Sequence, residues 1–369
     1  MATDNNNLQT ITIPHLDESS FSSMDSLDPR HLPPNDFYAQ ALQRGISSST
    51  ARRWASAVIG KGIYDPEAIR HEAHIPKKLI SCIAPPLSLT VYRHVRSPVD
   101  GFEKLVLKTH DNLSVETVLI PLHKKNAVSI CVSSQVGCAM GCTFCATARM
   151  TKRRNLQSWE ILDQLIHARR IVQQQGRTIT GVVFMGMGEP FLNFSRVLQA
   201  ADWMRHPLYN AISGKAITIS TVGILPKIQE FTEMNLPYRL SISLGAATDQ
   251  KRARLVPVAA QFPIQDIMAA ARHYTEIRQT RINLSYVCIS GENVSEQDAK
   301  DLATLIGDTP VRIDLIDVTD ETRRYTPPSS EELSRFRDAL ARYLKQPVAR
   351  RYSGGADIAA SCGTLAGAS

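Results

Sequence analysis

From residue 127 onward the chain keeps a regular beat: a short apolar run, then a longer stretch of helical periodicity, six times over. The apolar runs fall at 127–132, 179–186, 215–221, 238–244, 281–289 and 310–316. The helical stretches fall at 158–175, 194–205, 224–234, 263–276, 295–306 and 330–344. Strands covered on both faces read as continuous Val/Ile/Leu runs, and parallel strands need a crossover, usually a helix, between them. Six such units predict an α/β fold on a parallel sheet. Periodicity alone leaves open whether that sheet is open or curls into a partial barrel. The last helix opens with Ser330, Glu331 and Glu332, a hydroxyl and two acids where free N–H groups need them.

The unusual residues sit where these strands end. A cysteine cluster directly follows the first run, and Gly186-Met187-Gly188-Glu189-Pro190 follows the second. Ser220 ends the third, Ser243 the fourth, and Val318-Thr319-Asp320 trails the sixth. Parallel α/β proteins place ligands at the carboxyl ends of their strands, so these segments are expected to converge on one face.

Ahead of this core, residues 1–30 are rich in Asn, Ser and Asp with little periodicity and are expected to be disordered. Residues 31–88 read as a helical unit, with Phe37, Ala41 and Leu42, then Ala51, Trp54, Ala55 and Val58, at helix spacing, and Gly45 and Gly60 as breaks. Residues 89–126 read as a β extension: short alternating strands at 89–96, 103–109 and 114–121, with a turn marked by Pro98 and Gly101. The core then occupies 127–367.

The first 29 residues hold five acids and no Lys or Arg, the reverse of a secretory or organellar leader. No window approaches the ~18 consecutive apolar residues of a membrane span, so a cytoplasmic location is expected, with no membrane partner. Net charge is +7, and beyond residue 29 the chain carries 42 basic against 30 acidic residues. Any one of the doublets Arg52-Arg53, Lys77-Lys78, Lys124-Lys125, Arg153-Arg154 and Arg323-Arg324 reads first as a solvated face. Together, on a basic body, they suit a phosphate-rich partner.

Of seven cysteines, Cys82 and Cys288 lie beside Ile residues and read as buried thiols. Cys138, Cys142 and Cys145 form a C-x3-C-x2-C cluster. Three thiolates on one loop can ligate three irons of a [4Fe–4S] cube and leave the fourth open to a chelating cofactor. Structural zinc usually takes four protein ligands from paired C-x2-C motifs, and this chain has no second pair.

This spacing, with Phe144 before the last cysteine, resembles the signature of radical S-adenosylmethionine (SAM) enzymes. The segments Cys131-Val-Ser-Ser-Gln-Val-Gly-Cys138, Met185-Gly-Met-Gly-Glu-Pro190 and Asp357-Ile-Ala-Ala-Ser-Cys362-Gly further resemble the RlmN/Cfr family of radical SAM RNA adenine methyltransferases, over about residues 32–367. The resemblance implies a partial (βα)6 barrel with a small helical N-terminal accessory domain that binds RNA. It implies a [4Fe–4S] cluster on Cys138, Cys142 and Cys145, and SAM bound through Gly188, Glu189, Ser220, Ser243, Leu244, Gly245 and Thr319. Cys362 would carry the methyl group, Cys131 would resolve the tethered product, and Glu116 would take the adenine proton. The implied substrate is an adenine ring carbon, C2 or C8, in ribosomal or transfer RNA, and the implied electron donor is a reductase such as a flavodoxin system.

Read without the resemblance, these residues are plainer. Gly188-Glu189 would be a strand-to-helix turn, Ser220 and Ser243 strand-end turn formers, Cys131 a core strand thiol and Glu116 an outward-facing strand charge. Cys362 would be an incidental exposed cysteine, although Gly354-Gly355 and Gly363 around it suit a mobile segment that reaches into the site. The chain also departs from the family pattern. Ser243-Leu244-Gly245 replaces Ser-x-His, Val318-Thr319-Asp320 replaces Trp-Asn-Pro, Gly354-Gly355 replaces Arg-Gly, and Thr364 replaces Gln. A different RNA target is one reading. The same chemistry on another substrate, or a non-catalytic RNA-binding relative, are the alternatives; retention of Cys131, Cys362 and Glu116 speaks against the last.

Overall fold

In the computed structural model the described residues are 26–84, 87–209 and 211–367. The N-terminal helices are α1 (Pro34–Gln43), α2 (Ser48–Ala55) and α3 (Pro66–Ala73). Pro34 and Pro66 take first helical positions, where no N–H is needed. Ser47 and Asp65 accept from the Thr50 and Ala68 amides at 3.3 and 2.7 Å, capping α2 and α3. Phe37, Ala41, Trp54 and Val58 are buried as the spacing predicts, but Leu42, expected beside them, is half exposed. The Phe37 ring meets Trp54 edge-on at 5.2 Å and Trp203 at 6.0 Å, which docks these helices on the core.

Two expectations need correction here. Residues 26–30, placed in the disordered leader, are folded: Arg30 is fully buried and forks onto Asp28 at 2.8 Å and Asp163 at 3.1 Å. Their polarity hid them, because beside the one buried Leu27 the segment is held by matched charge. The rest of that leader, 1–25, lies outside the described residues. Cys82 is only partly buried, since it ends a tight helical turn (Lys77–Cys82) rather than lying in a strand.

Strands β1 (Thr90–Arg96), β2 (Glu103–Lys108) and β3 (Ser114–Pro121) form an antiparallel meander that leads into β4 (Ala127–Cys131). A short ladder of β5 (Gln135–Val136) and β6 (Arg154–Asn155) closes the base of the cysteine loop. The alternation follows as α4 (Ser158–Gln174), β7 (Thr178–Phe184), α5 (Phe194–Met204), β8 (Ile217–Thr221), α6 (Leu225–Glu233) and β9 (Arg239–Ser243). It continues through α7 (Asp249–Leu255), α8 (Ile264–Arg278), β10 (Ile282–Cys288), α9 (Glu296–Ile306), β11 (Val311–Asp317), α10 (Ser330–Tyr343) and β12 (Val348–Arg350). All six expected strands and helices are present. Helix α7 and strand β12 are additions, and Ser329, not Ser330, caps α10 by accepting from the Glu332 amide at 3.1 Å.

One sheet runs β1-β2-β3-β4-β7-β8-β9-β10-β11-β12, parallel from β4 onward. Among the described residues β1 and β12 do not pair, so the sheet does not close on itself. Yet residues from the ends of β7 through β11 and from the loop after β4 line a single cleft. A flat sheet could not bring them together, so this one is a partial barrel.

Candidate functional site

The cysteine loop is pinned at both ends. Where it leaves, Gln135 and Val136 pair with Asn155 and Arg154. Where it returns, Arg154 reaches Asp111 at 2.8 Å and Glu160 at 2.7 Å. Inside it, the Thr143 amide donates to the Leu255 carbonyl at 3.0 Å, which ties the loop to the end of α7. Cys138, Cys142 and Cys145 all line the cleft. Burial pushes the Cys138 thiol up to about 12 and Cys142 well above the usual thiol range, with the neighbouring cysteine sulfurs adding to both rises. With both of these thiols pushed up, the loop is a poor place for thiolates unless a cation is there; a metal inverts that preference and deprotonates its ligands.

Across the cleft, Gly188 turns at φ +99°, and a Cβ there would lie 2.5 Å from the Gln135 side chain, so only glycine fits. Glu189 is 2% exposed. One carboxylate oxygen accepts from the Phe191 amide and the other from the Val222 amide, each at 2.9 Å. Burial nevertheless raises its carboxyl to about 7, against those bonds. Ser220 and Ser243, on adjacent strands, face inward and bond to each other at 3.3 Å. Gly188, Glu189, Ser220 and Ser243 therefore share one cleft with the three cysteines, as expected.

Leu244, Gly245 and Thr319 do not line it. Side chains alternate along a strand, so with Ser243 facing in, Leu244 faces out into the main core. The Gly245 carbonyl accepts from Asn293 at 2.8 Å, and Thr319 is half-buried beside Val318, which does line the cleft. A residue the sequence did not flag holds this wall together: Arg252 on α7 is fully buried and donates to the carbonyls of Val222 and Leu244. It sits in an ordinary polar helix sequence and gave no signal.

Cys362 reaches the same cleft from the opposite edge of the sheet. Residues 351–366 leave β12 and cross the mouth to the β2–β3 side. The Gly363 carbonyl accepts from the Ala146 amide at 2.7 Å, next to Cys145. The Cys362 amide donates to Ser353 Oγ at 2.9 Å. The glycines do not leave this segment loose, contrary to expectation: a Cβ on Gly354 would collide with the Phe102 ring, and Gly355 is bonded to Asp100. Small residues are needed here for close approach, not for freedom.

Cys131 ends β4, buried in a small apolar cluster with Phe102, Val118, Met187, Ala360 and Leu365. Burial pushes its thiol up to about 12; the Cys362 sulfur raises it further, and Arg351 opposes both. Both thiols are free. Glu116, whose plain reading was outward-facing, is buried at 1% exposure because Lys104 and the tail around Ala366 cover the face it is on. Lys104 Nζ lies 3.3 Å from one of its oxygens, and the Ala366 amide donates to the other at 3.2 Å. Lys104 was readable in principle as a cation that alternation places on the same face as Phe102 and Val106.

A curled parallel sheet with a three-cysteine loop after its first strand defines a class. The profile of the radical SAM superfamily matches residues 132–303. A "Probable RNA methyltransferase" of Myxococcus xanthus is 43% identical over 323 residues, 87% of this chain and 88% of that protein. The "Dual-specificity RNA methyltransferase RlmN 1" of the same organism is 39% identical, over 72% of this chain and 74% of that one. A crystal structure of a radical SAM methyltransferase from Sphaerobacter thermophilus superimposes with a TM-score of 0.84 at 31% identity, over 92% of this chain and 99% of that one. The chain belongs to the family of radical SAM RNA methyltransferases that includes the RlmN enzymes. No helix among the described residues is long and apolar enough to cross a membrane.

Proposed function

We propose that this protein methylates a ring carbon of adenine, C2 or C8, in ribosomal or transfer RNA, through a methyl group carried on Cys362. The observation that carries the reading is that Cys362, from the far end of the chain, and the cysteines at 138, 142 and 145 line one cleft. The donor set fits a [4Fe–4S] cluster with one open iron: three thiols on one loop, and no histidine in the cleft lining. Cys138, Cys142 and Cys145 would hold it. Gly188, Glu189, Ser220 and Ser243 would contact SAM, with the Glu189 carboxylate well placed by charge for an ammonium group. Cluster and SAM together supply hydrogen-atom abstraction, which an electron-poor ring carbon requires because it will not attack a sulfonium methyl by itself.

The protein's own groups then divide the work. The Cys362 thiolate attacks the methyl carbon of SAM; the new S–CH3 bond forms as the sulfonium bond breaks and S-adenosylhomocysteine leaves. Glu116 takes the proton displaced from the adenine carbon. The Cys131 thiolate closes a disulfide onto Cys362 as the bond from the Cys362 sulfur to the tethered carbon breaks; that carbon takes a proton and leaves as the methyl group of the base. A reductase of the flavodoxin type supplies electrons and returns the disulfide to thiols. The basic N-terminal helices, with Arg52, Arg53, Lys61, Lys77 and Lys78 exposed, suit the RNA backbone.

The test is anaerobic reconstitution with iron and sulfide, incubation with RNA, SAM and reductant, then digestion and mass spectrometry. Methyladenosine dependent on Cys362 is expected. Its absence from ribosomal and transfer RNA, with 5′-deoxyadenosine still released, would overturn the substrate assignment.

A further inference from the structure

We propose that the β2–β3 hairpin, with the turn ahead of it, is the cradle that sets the position of the Cys362 sulfur, and that Asp100 and Lys104 are its positioning residues. This rests on Cys362 being the working thiol. Three contacts bracket it. Asp100 Oδ2 accepts from the Tyr352 hydroxyl at 2.9 Å and the Gly355 amide at 2.7 Å, while its other oxygen accepts from the Phe102 amide at 3.1 Å. Asp100 is thus itself fixed by the turn it belongs to. Lys104 Nζ donates to the Ala359 carbonyl at 3.0 Å. The Ala366 amide donates to Glu116. Between the first two, the Phe102 ring packs against Gly354 with no room for a side chain.

These partners are separated by about 250 positions in the chain (255 for Lys104 and Ala359), and the segment starts from the sheet edge farthest from β2 in strand order. The cysteine loop holds the far side of Cys362, through Ala146 on Gly363 at 2.7 Å and Thr147 on Leu365 at 2.5 Å; the cradle holds the near side, residues 352–359. Register puts all of it on one face. Lys104 pairs with Val118, Val106 with Glu116, and Val118 with Cys131, and paired residues point to the same side of a sheet. One ammonium also serves two masters, since Lys104 bonds Ala359 and holds Glu116 at once. Lifting the segment therefore frees Cys362 and uncovers Glu116 in a single movement.

The test reads thiol reactivity in the purified full-length chain, without RNA or SAM. Iodoacetamide labelling is followed peptide by peptide by mass spectrometry. Asp100→Ala and Lys104→Met each remove at least one charge-assisted bond, so Cys362 labelling should quicken by about tenfold. Asp100→Asn keeps an amide oxygen for Tyr352 and Gly355 and should fall between Asp100→Ala and wild type. Cys288, buried in β10, is the internal control and should not change. Unchanged Cys362 labelling in both variants overturns the proposal. So does a parallel rise at Cys288, which would mean general loosening. Because no RNA enters the assay, failure here and failure of the RNA assignment are separate results.

Discussion

Glu189 allows a worked test of the wall on which SAM would sit. Its carboxyl, 2% exposed, titrates at about 7 in the folded chain against 4.5 when exposed, because burial disfavours the charge more than its backbone bonds favour it. Between those two values the folded protein holds a proton that the unfolded chain has released, so this group's contribution to stability falls as pH rises through the window and levels off above it. The full difference is about 3 kcal/mol, and about 2 kcal/mol of it falls between pH 5.5 and 8. The perturbation is Glu189→Gln, studied in the cluster-free chain so that no bound metal charge enters. An amide has one oxygen for the two N–H groups of Phe191 and Val222. The variant therefore starts lower, by about 1–3 kcal/mol. Urea unfolding of both proteins at pH 5.5 and 8 cancels every other titration in the difference. The wild type should lose about 2 kcal/mol relative to the variant across that range. A gap that stays constant within about 0.5 kcal/mol would show that Glu189 is already ionised at pH 5.5, and the desolvation reasoning fails.

Gly188→Ala combines backbone strain at φ +99° with overlap on Gln135, and should cost about 2–5 kcal/mol in urea unfolding; a cost under about 1 kcal/mol would mean the turn can relax. Arg30→Met leaves Asp28 buried without its guanidinium and Asp163 with only Tyr64, the Leu89 amide and His167, and should cost about 3–5 kcal/mol, against near neutrality if residues 26–31 are only loosely docked. Cys142→Ala should abolish iron retention after anaerobic reconstitution, measured by colorimetric iron assay. Cys362→Ala should retain wild-type iron and SAM cleavage but yield no methylated RNA. Iron loss in Cys362→Ala would reassign that thiol to the metal.

The strand-and-helix order was legible because buried parallel strands such as Ile282–Cys288 must be apolar on both faces. What escaped was held by other means. Helix α7 is about two turns of mostly polar residues, and β12 is three residues paired to β11. Arg30 is buried by charge matching that no hydrophobic pattern reports. In the site, Cys138, Cys142, Cys145, Gly188, Glu189, Ser220 and Ser243 could be grouped because each stands at a strand end, where topology forces convergence. Leu244 was grouped with them, yet its side chain lies in the main core, because a motif read as a string ignores the alternation along a strand. Glu116 looked solvent-facing because the partners that cover it, Lys104 and the tail around Ala366, are invisible to a local reading.

Every strand of this fold is complete by Arg350. A proteolytic cut just beyond it would leave the barrel wall in place, while deleting the one thiol that arrives from the other side and the Gly363 and Leu365 carbonyls that bond Ala146 and Thr147. The face beneath the tail would be newly bared: Phe102, Val118, Cys131 and Met187, with Lys104 and Glu116 beside them, a small and partly polar patch. A chain cut there would keep the three-cysteine wall of the cleft without the thiol that faces it.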